Sequence, residues 1–400
     1  VTYFDHNATT PLLPKAREAW LDAGENFIGN PSSPHRIGSR ADAAITEARQ
    51  RLAKFLQCDP LDIVWTSGAT ESNNTVLHHF ARTLPPDAEV WVSAIEHPCV
   101  MAATKHYFPK RHRLIPVTRD GVVDLNWLTE EMAHARPGLV AIMAANNETG
   151  VLQPWREALA ICRQWGVPFF SDAAQWIGKL PANGFGECDF VSGAAHKFGG
   201  PKGAGFLKCP AQGRVDPLLR GGPQEEGRRA GTENVAGILS MLAALEERES
   251  ALAKHEQQSR TKLRDAFVGR MLNALPGAEV VGIGQPRLWN TVSALMPEAD
   301  GQQRWVVKLD KAGFAVSTGS ACSSGREAAS HVLAAMGYGP AEAGRVLRFS
   351  SGWETTPADW DALAGGLEKI FQAMQKPSFP TPRQANSSHR VVRKLAKTPD

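Results

Sequence analysis

The stretch Asp189-Phe-Val-Ser-Gly-Ala-Ala-His-Lys197 runs directly into Phe198-Gly-Gly-Pro-Lys-Gly-Ala-Gly205. Its first part is an apolar, strand-like run, and it ends in a His-Lys pair. A lysine at the mouth of a buried strand is desolvated, which disfavours the ammonium form and leaves a nucleophilic amine. Lysines of this kind carry Schiff-base chemistry with aldehydes. The glycines that follow let backbone approach a bulky group closely. They are not a phosphate-binding P-loop, because the lysine and serine spacing is wrong for one.

Upstream, polar residues recur at the ends of other apolar runs. Val167-Pro-Phe-Phe-Ser171 reads as a buried strand and leads into Asp172-Ala-Ala-Gln175. Pyridoxal phosphate needs an acid beside its ring nitrogen, and Asp172 is placed to be one; it also reads as a helix N-cap. Ile63-Val-Trp65 leads into Thr66-Ser-Gly-Ala-Thr70-Glu71. Small residues opening a helix leave free N–H groups where a phosphate can sit, or form a capping box with Glu71. Glu89-Val-Trp-Val-Ser93 leads into Glu96-His97-Pro98, where His97 could lie on a cofactor ring and move protons. Leu139-Val-Ala-Ile-Met143 leads into Asn146-Asn147-Glu148-Thr149-Gly150, a turn by composition in which Asn147 could touch a cofactor ring oxygen or a substrate carboxylate. Five strand ends thus deliver Thr70, His97, Asn147, Asp172 and Lys197 in order. In open α/β sheets ligands bind beyond the carboxyl ends of the strands, and five unrelated caps and turns would not converge in this way.

With these motifs in place the chain resembles the class V aminotransferase group of fold-type I pyridoxal phosphate enzymes, and within it the cysteine desulfurases. The resemblance is carried also by Tyr3-Phe-Asp-His-Asn-Ala-Thr-Thr-Pro11, Gly29-Asn-Pro-Ser-Ser-Pro-His35, Arg229-Ala-Gly-Thr-Glu-Asn234 and Arg348-Phe-Ser350, and spans roughly residues 1–375. It implies a three-layer α/β fold: a mostly parallel central sheet in a large domain, 14–261, and a smaller α+β domain, 1–13 with 262–376. It implies that Lys197 holds the cofactor and removes the α-proton of L-cysteine. Asp172 would keep the ring nitrogen protonated, Gln175 would meet the ring hydroxyl, and His97 would stack and shuttle protons. Ala69, Thr70, His196 and Thr232 would complete cofactor binding, with Thr232 reaching the neighbouring subunit's phosphate, so a homodimer is implied. Arg348 would clamp the substrate carboxylate bidentately with help from Asn147.

The discriminating feature is Ser317-Thr-Gly-Ser-Ala-Cys322-Ser-Ser-Gly325. A nucleophilic thiol must be exposed and able to travel, and this small-residue stretch suits that. By the resemblance, Cys322 takes the sulfur as a persulfide and alanine is released. The sulfur would pass to an acceptor protein such as an iron–sulfur scaffold. A class V aminotransferase or a selenocysteine lyase is the alternative, and a non-enzymatic scaffold the least favoured one. One departure stands out: relatives usually carry a phosphate-binding serine three residues before the lysine, where this chain has Ala194. Ser192 lies on the same strand face about 7 Å away.

Composition is that of a large enzyme. At 400 residues and 42% hydrophobic content, two lobes are expected. No apolar run approaches the ~20 residues that span a bilayer, and the opening residues, lacking a charged-then-apolar pattern, are not expected to act as a signal segment. None of the six cysteines forms a C-x-x-C pair, so neither a metal site nor a disulfide framework is expected; reduced thiols fit the cytoplasm. Residues 376–400 hold six Lys/Arg against one acid, +5, which leaves about −2 for the rest of a +3 chain. The tail, 377–400, reads as disordered, and nothing resembles a nucleic-acid module. Helical spacing predicts a helix over Arg36–Leu56 that buries Ile37, Ala41, Ala44, Ile45, Ala48, Leu52 and Phe55. Further helices are expected over Thr232–Leu252, over Gly301–Ala312 and from Thr356-Pro357, with strands at 290–295 and 346–349.

Overall fold

The computed structural model describes residues 1–211, 215–298, 304–318 and 330–375; Cys322 and the tail at 377–400 lie outside them. Among the described residues, a seven-stranded sheet has the spatial order Ile63–Thr66, Gly205–Lys208, Phe190–Ala194, Phe169–Asp172, Leu139–Ala141, Val90–Ser93, His112–Ile115. Gly205–Lys208 runs antiparallel to both of its neighbours, and the remaining pairings are parallel.

Both faces of this sheet are covered, and the side-chain alternation shows how. Trp65, Trp91, Val140, Phe169, Val191 and Phe206 share one core with residues of the helices Arg36–Leu56, Trp155–Trp165 and Val235–Ala253. Their strand neighbours Val64, Val92, Ala141, Phe170, Phe190 and Leu207 share another with the helices Ala69–Thr83 and Pro98–Tyr107. Strands buried on both faces read as unbroken apolar runs rather than as alternating ones. The result is helix, sheet, helix: the α/β architecture with a mostly parallel sheet that the sequence implies.

A second sheet, order Ser317–Thr318, Val346–Ser350, Thr291–Leu295, Glu279–Val280, is antiparallel throughout. It packs with the helices Glu256–Ala274 and Pro357–Gln375 through Phe267, Phe349, Trp360 and Leu367. The N-terminal segment joins this core: Thr2–Tyr3 pairs parallel with Phe314–Ala315, and Phe4 is fully buried in it. Residues 5–9 then cross to the large sheet.

The elements depart from expectation in a few places. The helix Arg36–Leu56 forms as read, but Ile37 is 52% exposed and Ala44 and Phe55 are half-buried. The buried stripe begins at Gly38 and Ala41, and the first turn extends beyond it. The helix expected from Thr232 starts at Val235, because Asn234 is the better cap: its Oδ1 accepts from Gly237 N at 3.0 Å. Thr232 is left in the preceding loop. The helix expected from 301 is described as Trp305–Lys311. At Pro357 the start is as read, with Thr356 Oγ1 accepting from Asp359 N at 3.2 Å.

Candidate active site

The site forms where the carboxyl ends of the central strands meet residues 5–9. Asp172 is the last residue of its strand, buried at 6% exposure. No helix follows it. Its Oδ1 accepts from Ala174 N at 2.9 Å in a turn, and its Oδ2 accepts from Asn73 Nδ2 at 2.7 Å. The helix-cap reading of Asp172 is therefore replaced by a buried carboxylate held from two sides.

Lys197 follows the strand Phe190–Ala194 after one tight turn and is half-buried. Its Nζ donates to the backbone oxygens of Asn7 at 2.6 Å and Ala8 at 2.9 Å. Gln175 Nε2 donates to the same Asn7 oxygen at 2.9 Å. Asn7 is buried and acts as the junction of the site. Its Nδ2 donates to Asn147 O at 3.2 Å and to Thr291 Oγ1 at 2.9 Å, and its backbone N–H donates to Ser350 Oγ at 3.0 Å. Arg348, 3% exposed, reaches this network from the second sheet. Its Nη1 donates to Asn147 O at 2.9 Å and its Nη2 pairs with Asp5 Oδ1 at 2.7 Å, while Nε has no partner among the described residues. The guanidinium expected to clamp a carboxylate is thus already braced on the N-terminal segment.

His97 caps the helix Pro98–Tyr107, with Nδ1 accepting from Cys99 N at 3.2 Å and lying 2.9 Å from Cys99 Sγ. A backbone N–H can only donate, so the neutral ring carries its proton on Nε2. Burial, with Lys197 nearby, lowers the His97 pKa, against the pull of Asp172. Asn73 Nδ2 also donates to Cys99 Sγ, at 3.2 Å, which links Asp172 to His97 through Asn73 and Cys99. Burial pushes the Cys99 thiol up to about 12, so it remains a thiol. His196 Nδ1 lies 3.2 Å from Thr9 Oγ1, and burial and Lys197 bring its pKa down to about 4.

Ala69 and Thr70 open the helix Ala69–Thr83. Its N-cap, Gly68, offers no side chain to the free N–H groups, and a Cβ built there would meet nothing within 4 Å. Beside it, a Cβ on Gly205 would fall 2.5 Å from Gly68 Cα, so glycine is needed for this loop to close on the sheet. Glu71 accepts from Ser67 N at 2.8 Å and pairs with Arg229 at 2.9 Å. Ser192 Oγ is buried with no partner among the described residues, and Ala194 is buried at the end of the same strand.

Pyridoxal phosphate fits this donor set. An amine, a buried carboxylate, an imidazole and an uncapped helix N-terminus with open space above its glycine are gathered at one sheet edge. Of the residues singled out from sequence, Lys197, Gln175, Asn147 and Arg348 are joined by hydrogen bonds through Asn7, and His97 and Asp172 through Cys99 and Asn73. Thr232 is exposed, and no hydrogen bond among the described residues joins it to the others. Asn7, Asn73 and Lys179 were given no role by sequence reasoning. Only Asn7, within the quoted N-terminal motif, offered a signal. Glu96 was likewise unassigned: it is fully buried, accepts from Met143 N at 2.6 Å, and burial raises its pKa well above the usual carboxylate value.

The family model for class-V aminotransferases matches residues 2–363. A cysteine desulfurase of Klebsiella pneumoniae is 38% identical over 380 residues, 93% of each chain. Cysteine desulfurase IscS of Dictyoglomus turgidum is 36% identical over 379 residues, 93% of this chain and 95% of that one. Among solved structures, a NifS-like protein superposes with a TM-score of 0.83 at 33% identity, covering 93% of this chain and 99% of the other. A structure described as SspA in complex with cysteine gives 0.75 at 28% identity, covering 88% and 98%.

Proposed function

The chain belongs to the class-V aminotransferase family and is a pyridoxal phosphate-dependent cysteine desulfurase, and from that premise we propose how its residues divide the work. When bound, the cofactor supplies an electron sink for negative charge at the substrate α-carbon. Lys197 Nζ is the attachment point and the base for the α-proton. Its place beside the Asn7 and Ala8 carbonyls supports this, since the two acceptors aim its amine. Asp172 holds the proton on the ring nitrogen; both of its oxygens are fixed by N–H donors, so it cannot rotate away. His97 donates from Nε2, because Nδ1 is committed to the Cys99 backbone. Ala69 and Thr70, with His196, take the phosphate at the helix N-terminus. Gln175 meets the ring hydroxyl.

Arg348 binds the substrate carboxylate with Asn147. Braced by Asp5, it keeps its fork oriented before substrate arrives, which reduces the ordering cost of binding. Cys322 accepts the sulfur: its thiolate attacks the substrate sulfur, the carbon–sulfur bond breaks, and a proton goes to carbon. The products are L-alanine and a Cys322 persulfide. An acceptor protein such as an iron–sulfur scaffold takes the sulfur onward. A cytoplasmic location is part of the same reading, since such a thiol must stay reduced between turnovers.

A homodimer belongs to it too. Leu12, Leu21, Ile28 and Ile37 are 40–76% exposed apolar residues near the N-terminus, and exposed Thr232 lies in a loop that a second subunit could use.

The observation that carries the reading is the single hydrogen-bond network joining Lys197, Gln175, Asn147 and Arg348 across two sheets through Asn7. The experiment is the conversion of L-cysteine by wild type and Cys322→Ala. Wild type should give alanine and, without reductant, one added sulfur on the peptide that contains Cys322. Cys322→Ala should bind cofactor and cysteine but release little alanine. Wild-type alanine release from Cys322→Ala would move the protein to a lyase or aminotransferase mechanism.

A further inference from the structure

Lys179 is buried at this site, 3% exposed, and has no part in the reaction set out above. It lies four residues after Gln175 in a turn. Its Nζ donates to Asn7 Oδ1 at 2.9 Å and to Gln175 Oε1 at 2.5 Å. It shares a small cavity, with about 10 Å³ of water-accessible space, with Lys197, His6 and Asn290.

The charges around it are mostly of its own sign. Lys197 and Arg348 oppose its protonation, and His6 and His196 both feel its charge. The nearby carboxylates are engaged elsewhere: Asp5 by Arg348, Glu354 by Arg248, Asp172 by Asn73. Among the described residues no carboxylate pairs with Lys179. Burial, reinforced by Lys197 and Arg348, pulls its pKa well below the usual lysine value. Two of the N–H groups on Nζ have acceptors here, Asn7 Oδ1 and Gln175 Oε1.

Those two bonds settle which way two amides point. The Gln175 atom 2.9 Å from Asn7 O must be nitrogen, because a backbone oxygen only accepts. Gln175 Oε1 therefore faces Lys179, and Nε2 keeps a second N–H. The Asn7 atom facing Asn147 O is nitrogen for the same reason, so Asn7 Oδ1 faces Lys179 and also accepts from Asn290 Nδ2 at 3.1 Å.

We propose that Lys179 is a positioning residue for Lys197: by donating to Gln175 Oε1 and Asn7 Oδ1 it locks both amides, so that Asn7 O stays turned to Lys197 Nζ and Gln175 keeps an N–H for the cofactor's ring oxygen. This rests on the reading of Gln175 as a cofactor ligand.

The test is the pH midpoint of the visible absorption band of the cofactor-loaded full chain, with thermal stability measured alongside. An N–H donated to the ring oxygen favours its anionic form, so losing it raises the chromophore's proton affinity. Lys179→Met should move the midpoint up by about one to two pH units, as expected for one lost hydrogen bond to a charged oxygen. Lys179→Gln, which keeps an N–H donor, should reverse most of that shift. Gln175→Met should shift it similarly, and the double variant no further than Gln175→Met alone. If Lys179→Met does not fold, Lys179→Ser is read in its place with the same expected shift. A lowered melting temperature with an unmoved midpoint, while Gln175→Met shifts, overturns the role of Lys179 alone. An unmoved midpoint in Gln175→Met overturns the ligand reading of Gln175 and the proposal with it.

Discussion

Replacing Glu148 with glutamine should stabilise the protein, and more so the higher the pH. Glu148 is 5% exposed and sits in the turn after Leu139–Ala141, where its Oε2 accepts from Ser330 Oγ at 2.5 Å. Burial raises its pKa from 4.5 to about 7, with Ser330 and Arg348 pulling the other way. A carboxyl whose folded pKa lies above its unfolded value holds its proton longer in the native state. Stability is then full below the unfolded pKa and falls as pH rises through the window from 4.5 to about 7. The whole interval corresponds to about 3 kcal/mol at alkaline pH. Glutamine keeps a carbonyl oxygen for Ser330 but cannot ionise. Relative to wild type, Glu148→Gln should therefore gain about 1 kcal/mol at pH 5 and about 3 kcal/mol at pH 8. Urea unfolding of the cofactor-free protein at the two pH values measures this. Comparing variant with wild type at each pH cancels the other titrating groups, provided the slope is unchanged. An equal gain at both pH values would show that the Glu148 pKa is unchanged by folding, and a loss at pH 8 would show that it is ionised in the fold and held by Arg348.

Two further outcomes follow from the site. Asp172→Asn should retain cofactor but lose turnover by roughly a hundredfold or more, since an amide cannot hold the ring nitrogen protonated; near-normal alanine release would reduce Asp172 to a turn residue. Ala194→Ser should slow cofactor dissociation roughly tenfold or more if its hydroxyl gains a bond to the phosphate. An unchanged dissociation rate combined with a lower melting temperature would mean a buried hydroxyl without a partner.

Much of this architecture could be read from sequence because the signals are local. Apolar runs buried on both faces mark the strands, and the residue just past each run falls at the carboxyl edge of the sheet, which is why Lys197, Asp172 and His97 could be placed there from sequence. Lys179 was not, since a lysine in a turn ordinarily points to solvent. What buries it is a partner 172 positions earlier, Asn7, and nothing near either residue records that distance. Asn73 and Cys99 were hidden in the same way, each being an unremarkable member of a helix until Asp172 and His97 are set beside it. Ile37 failed for another reason: periodicity gives the buried face of a helix but not where its neighbour ends. Asp172 as the last residue of a strand, rather than a cap, depended on the absence of a following helix, and Ala173-Ala-Gln175 does not announce that.

The crossing of residues 4–7 between the two sheets bears on how the protein is made. Ser350 N donates to Phe4 O at 2.8 Å, His6 N to Ser350 O at 3.0 Å, and Asn7 N to Ser350 Oγ at 3.0 Å. The carbonyls that aim Lys197 are thus held by a strand translated more than 340 residues later. During synthesis, the large sheet and its lysine emerge from the ribosome well before Val346–Ser350 exists to seat the N-terminal segment. A nascent chain therefore presents the lysine before the carbonyls that aim it have been seated by Ser350.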